Sequence, residues 1–166
     1  MERVLVIGSP GAGKSTFAPS LARLTGLPLI HLDQEHWLPG WVERDKAEWA
    51  ERVRELATRP RWIMDGNFGA TLLPRLARAD TVIWLDFPAW LCVVRIVRRV
   101  LQSRGKVRPD MAEGCPERFD WEFLLYTARF PWTGRKRILA KLPAFTGTLV
   151  RFRRPREAAR FLAGLE

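Results

Sequence analysis

Residues 8 to 16 read Gly8-Ser9-Pro10-Gly11-Ala12-Gly13-Lys14-Ser15-Thr16 and follow directly on the apolar run Val4-Leu5-Val6-Ile7. The spacing is G-x-x-x-x-G-K-[ST], with Gly8, Gly13, Lys14 and Ser15 in register, between an apolar strand and a helix. Glycines let the backbone curl so that its N–H groups point inward and form a nest for phosphate oxygens. The helix that follows adds the positive end of its dipole to the same anion. Pro10, Gly11, Ala12 and Thr16 complete the cradle, Lys14 is expected on the β- and γ-phosphates, and the Ser15 hydroxyl on Mg²⁺. The stretch implies a nucleoside triphosphate with Mg²⁺ as the ligand.

Outward from this loop, strand and helix patterns alternate, which argues for an α/β fold with a parallel sheet covered on both faces. Strands are expected over Arg3 to Ile7, Leu27 to Leu32, Arg61 to Asp65, Thr81 to Asp86 and Thr148 to Phe152. Helices are expected from Lys14 to Leu24, with Pro19 inside, and from Glu43 to Ala57, with Trp49, Val53, Leu56 and Ala57 along the apolar stripe. A short helix near Ala70 to Arg78 and a long one from Pro88 to Ser103 follow. Arg104 to Pro116 carries Gly105, Pro109, Gly114 and Pro116 and reads as a mobile loop. Helices near Glu117 to Phe130 and Thr133 to Lys141, and one opened by Pro155, complete the chain.

In an open α/β sheet, ligands collect at the carboxyl ends of the strands. Those ends carry Asp33 and Glu35 after the second strand, Asp65-Gly66-Asn67 after the third, and Asp86-Phe87-Pro88 after the fourth. Three strands thus deliver carboxylates to one edge, an arrangement that suits Mg-nucleotide. Asp65 and Asp86 are both candidates for the magnesium-linked carboxylate. Trp37 and Trp41 flank the presumed acceptor site, where an indole stacks on a ring or packs the loop. His31 is expected in the packing of the sheet, and Cys115 as a small buried side chain.

The composition bounds the alternatives. The chain has 166 residues, 47% of them hydrophobic, enough for one domain with a proper core. No run approaches the ~18 apolar residues of a membrane span, and Met1-Glu2-Arg3 leads straight into a strand. Cys92 and Cys115 are the two cysteines, too few for a disulfide framework or a four-cysteine zinc site. A reduced, cytoplasmic protein is expected. The net charge of +10 arises wholly after residue 93, where seventeen Lys/Arg face seven Asp/Glu. Such a half suits nucleic acid, or arginines that close over a polyphosphate.

Over nearly its full length the chain resembles the adenylate-kinase and shikimate-kinase branch of the P-loop kinases. The resemblance rests on Gly8 to Lys14, on Asp65-Gly66, and on Leu85-Asp86-Phe87-Pro88 followed by Arg95 and Arg99. Leu32-Asp33-x-x-x-Trp37, Pro39-Gly40-Trp41, Asp65-Gly66-Asn67 and Gly114-Cys115-Pro116-Glu117 are similar to the bacterial group labelled DNA topology modulation proteins. The branch implies a three-layer α/β/α sandwich over residues 1–166, five parallel strands in the order 2-3-1-4-5, and a lid at about 104–137. It implies that the nucleotide is ATP and that Arg95 and Arg99 grip nucleotide and phosphates, joined by lid arginines such as Arg104, Arg108 or Arg118. Arg151 to Pro155, with Arg153, resembles the loop that borders the adenine base.

Adenylate kinases follow Asp-Gly with Phe-Pro-Arg, whereas this chain reads Asn67-Phe68-Gly69 and lacks that acceptor-holding arginine. Arg44 and Arg75 are the candidates to replace it. Shikimate- and gluconate-type kinases place an Asp after the second strand, and Asp33 matches it. The resemblance therefore favours a hydroxyl acceptor over AMP. Asp33 would orient the nucleophile, Glu35, Trp37 and Asn67 would face the acceptor, and Lys14, Arg95 and Arg99 would stabilise the transferring group. A nucleotide kinase and a DNA-binding regulatory ATPase are the alternatives.

Overall fold

The computed structural model describes residues 1–165. Five parallel strands form the sheet: β1 (Arg3–Gly8), β2 (Leu29–His31), β3 (Trp62–Asp65), β4 (Thr81–Leu85) and β5 (Thr148–Phe152). Their spatial order is β2-β3-β1-β4-β5, the order that the kinase resemblance implied. β1, β3 and β4 are buried almost throughout, as strands covered on both faces should be. Their period of two sorts alternate side chains into two cores. Leu5, Ile7, Trp62, Met64, Val82 and Trp84 enter one face, and Val4, Val6, Ile63, Ile83 and Leu85 enter the other.

Helix α1 (Lys14–Thr25) covers the second face with Phe17, Ala18 and Leu21, joined by Ala158 of α8 (Pro155–Ala163). The first face is closed by α3 (Lys46–Thr58), whose Trp49, Val53, Leu56 and Ala57 form the expected stripe. α4 (Leu72–Leu76) lies on the same side, and α5 (Ala89–Ser103) runs from the end of β4. α6 (Trp121–Arg129) packs on α5, and α7 (Gly134–Lys141) follows it. Phe130 and Ile138 sink into the first core, so the last part of the segment expected as a lid is anchored to the sheet.

Three boundaries differ from expectation. β2 is an edge strand of three residues, and Leu32–His36 already forms a short helix, α2, which lifts Asp33 onto a helical turn. Trp37–Leu38 and Val42–Glu43 pair as an antiparallel ribbon around Pro39-Gly40. α3 therefore starts only at Lys46, where the Asp45 carboxylate accepts from the N–H groups of Ala47 and Glu48. α6 starts at Trp121 rather than near Glu117, because Asp120 caps it and Gly105, Lys106 and Glu117 hydrogen-bond across the neck of the preceding loop.

Candidate active site

The glycine-rich curl leaves β1 at Gly8 (φ 151°), where a Cβ would stand 2.4 Å from the Leu85 carbonyl oxygen. At Gly11 a Cβ would meet the Cys92 carbonyl oxygen at 2.4 Å, so the curl lies flat against α5. Side chains pin it from both flanks. The Asn67 amide donates to the Gly8 carbonyl at 2.6 Å and accepts from the Gly8 N–H at 3.0 Å. Arg95 donates to the Ala12 carbonyl at 2.9 Å. Lys14 Nζ folds back on the carbonyls of Gly8 and Ser9, at 3.1 Å each. Among the described residues no side chain caps the N-terminus of α1; Thr16 N–H donates to the Gly13 carbonyl at 3.1 Å, and the N–H groups of Lys14 and Ser15 are left to a ligand.

Asn67 is itself held by a residue the sequence reading assigned elsewhere. Arg75 is fully buried and donates to the carbonyls of Gly66, Asn67, Phe68 and Thr71. Burial pushes its pKa down to about 9, which still leaves it protonated at neutral pH. Arg75 is thus spent on the turn after β3 and has no donor turned to an acceptor. Replacing it by Ala would strand several buried carbonyls, each worth about 1–3 kcal/mol. Arg75→Ala is expected to lose at least about 3 kcal/mol, read as a shift of the urea midpoint at unchanged slope.

The carboxyl ends of β2, β3 and β4 reach different surroundings. Asp65, buried at the end of β3, lies 3.1 Å from Nδ1 of His31, its register partner on β2. His31 thus carries a polar contact rather than plain sheet packing. Asp65 and Ser15 line one cavity of about 980 Å³ together with Lys14 and Asp33. Asp86 does not line it: Arg135 and Arg151 clasp its carboxylate over the ring of Trp84. Of the two magnesium-linked candidates, Asp65 is therefore the one beside the phosphate curl. No cluster of three metal-ligating His, Cys, Asp or Glu side chains occurs among the described residues. One hydroxyl and one carboxylate fit Mg²⁺, which keeps several waters and completes its shell with phosphate oxygens.

The Asp33 carboxylate lines the cavity and makes no hydrogen bond or ion pair among the described residues. Its pKa is pushed up to about 6, first by burial and then by the Asp65 and Asp110 charges, against the pull of Lys14 and Arg108. A carboxyl poised there can accept a proton near neutral pH.

The opposite wall comes from the loop after α5. Glu117, 6% exposed, receives Arg99 Nη2 on one oxygen at 3.0 Å and has Arg108 Nε 3.0 Å from the other. Arg108 also lies 3.4 Å from Asp110. This loop is stitched to the Trp37–Glu43 ribbon: Gly40 N–H donates to the Gly114 carbonyl at 3.0 Å, and Trp41 Nε1 to that of Pro116 at 3.1 Å. Cys115, buried as expected, reaches the Leu38 carbonyl with its sulfur. Trp37 and Trp41 meet edge to face at 5.4 Å, and the Arg118 guanidinium lies 5.2 Å over Trp41.

The cavity unites the curl from Pro10 to Thr16 with Asp33, Trp37, Trp41, Asp65, Asn67, Arg95, Arg99, Arg108 and Arg118. Glu35 is not brought to it, because its carboxylate pairs with Arg52 of α3 at 2.8 Å and its carbonyl accepts from Arg44. Arg153 borders a separate hollow beside Asp86, and Arg104 is exposed outside both. Sequence reasoning passed over Asp110, and it quoted Glu117 only as part of a motif, with no role for the carboxylate. The Cys-Pro-Glu run after a Gly-rich loop was the available signal for Glu117.

No family model matches the chain, and no curated protein matches it. Solved structures do. Shikimate kinase from Acinetobacter baumannii, in complex with shikimate, aligns with a TM-score of 0.56 at 21% identity, over 99% of this chain and 89% of that one. An unliganded sugar kinase from a Janibacter species aligns at 0.53 and 21%, over 98% and 93%. At this identity the likeness concerns the backbone: the chain has the α/β fold found in small-molecule kinases.

Proposed function

We propose that the protein is a Mg-ATP-dependent phosphotransferase acting on a hydroxyl group of a small molecule. The observation that carries this reading is that an unpaired carboxyl, Asp33, shares one cavity with the phosphate curl, Lys14 and Arg95. The kinase-fold neighbours support it. Loop amides and Lys14 would hold the β/γ end of ATP, and Arg95 with Arg99 would take up charge developing on the transferring group. Bound Mg²⁺, near Ser15 and Asp65, would neutralise phosphate charge and fix its orientation. Asp33 would accept the acceptor's hydroxyl proton as the new O–P bond forms and the bond to ADP's leaving oxygen breaks. Asn67, bound to Gly8, would act by holding the curl in shape rather than by touching the acceptor.

Transfer of the terminal phosphoryl of labelled ATP to pooled hydroxyl compounds tests the reading. Label in a new phosphoester is expected. ATP turnover that needs DNA, with binding that weakens steeply as salt rises, would instead establish the regulatory ATPase. That alternative draws on the arginine excess after residue 93.

A further inference from the structure

The chain's charge of +10 does not extend into the cavity, whose lining holds five basic side chains against six carboxylates. The balance is most even at the acceptor end. Arg99 and Arg108 converge on Glu117, and Arg108 also faces Asp110. Lys14 and Arg95 stand on the phosphate curl. Arg118, over the face of Trp41, is the one lining guanidinium there without a carboxylate partner among the described residues. Asp33 stands within reach of the Asp110 charge, and with Arg99 and Arg108 engaged only Arg118 is left to answer an incoming anion. A phosphate or carboxylate on the acceptor would meet these two carboxylates with no free pair of cations to answer it. Trp37 and Trp41, set edge to face, both line the cavity as apolar rings, while Asp33 in the same cavity offers hydrogen-bond acceptance to hydroxyls.

We propose that the acceptor is an uncharged ring compound bearing free hydroxyls, without phosphate or carboxylate, stacked on the Trp37–Trp41 corner. This rests on the phosphotransferase reading above and narrows its acceptor. The class comprises nucleosides and monosaccharides, and the two are told apart in the same assay.

The test is transfer from labelled Mg-ATP to matched pairs: nucleosides beside their 5′-monophosphates, and monosaccharides beside their uronic acids and sugar phosphates. The neutral member of a pair is expected to exceed its anionic partner in kcat/KM by about 10-fold or more, on the scale of one unpaired charge pair. Asp110→Asn removes one of the two carboxylates that an anionic acceptor would meet and is expected to narrow that ratio. Trp37→Leu is expected to raise KM for the neutral acceptor about 10-fold with little change in kcat, and Trp37→Phe to restore much of it. Preference for the anionic member, or no neutral compound accepted, overturns the proposal. If Mg-ATP still binds through Lys14 in that case, the phosphotransferase reading survives. If it does not bind, both fall.

Discussion

Asp33→Asn is expected to lower phosphoryl transfer by about 10²- to 10⁴-fold while leaving the dissociation constant of Mg-ATP within a few-fold of the original. The amide keeps the size of the side chain and the shape of the cavity but cannot take up a proton. The pH profile provides a second reading of the same residue. Its pKa of about 6 means that the carboxyl is protonated below that value, so transfer should fall on the acid side of about pH 6 in the parent protein. The variant should lose that limb. Stability moves the other way. The folded-state pKa lies above the unfolded value of 3.8, so the charged carboxylate disfavours the folded state, increasingly so as pH rises from there through about 6. Asp33→Asn should therefore keep or raise the melting temperature at pH 7. An equal loss of ATP affinity and transfer rate would remove Asp33 from the acceptor side.

Lys14→Ala is expected to reduce transfer by about 10²- to 10³-fold, the cost of removing one preorganised donor from developing charge. In the structure Lys14 Nζ donates to the carbonyls of Gly8 and Ser9 and would turn from them to the phosphate charge when phosphates enter. Those carbonyls also receive Asn67 at Gly8, so the curl keeps a partner when the ammonium is removed. Circular dichroism and thermal unfolding should hence change little. Native-rate transfer by this variant would mean that the phosphate chain of ATP lies elsewhere.

The difference between these two residues and Arg75 is instructive. Lys14 and Asp33 stand in local patterns, a glycine loop and a strand end, that chain order alone displays. Arg75 belongs to no pattern. Arg75 was a candidate to hold the acceptor, and it is instead sealed inside the fold with four carbonyls around it. The same holds for Asp86. Its place at the end of the fourth strand suggested a magnesium-linked carboxylate, but Arg135 and Arg151 arrive from 49 and 65 residues away to neutralise it.

Local order along the chain was sufficient for the sheet and for the phosphate curl. Apolar runs bounded by glycine, proline and aspartate mark each strand, and β5 begins and ends at the expected residues, Thr148 and Phe152. Alternation within those runs was enough to supply both cores, because side chains two apart must share a face. What chain order did not contain was the charge pairing: which arginines face the cavity free, which are held by Glu117, and that Glu35 turns to Arg52 instead. Ion pairs between distant segments depend on how helices and loops pack, and a side chain's partner is chosen by proximity in space. Secondary structure follows from short-range sterics and hydrophobic period; the electrostatics of the acceptor end follow from the folded arrangement alone.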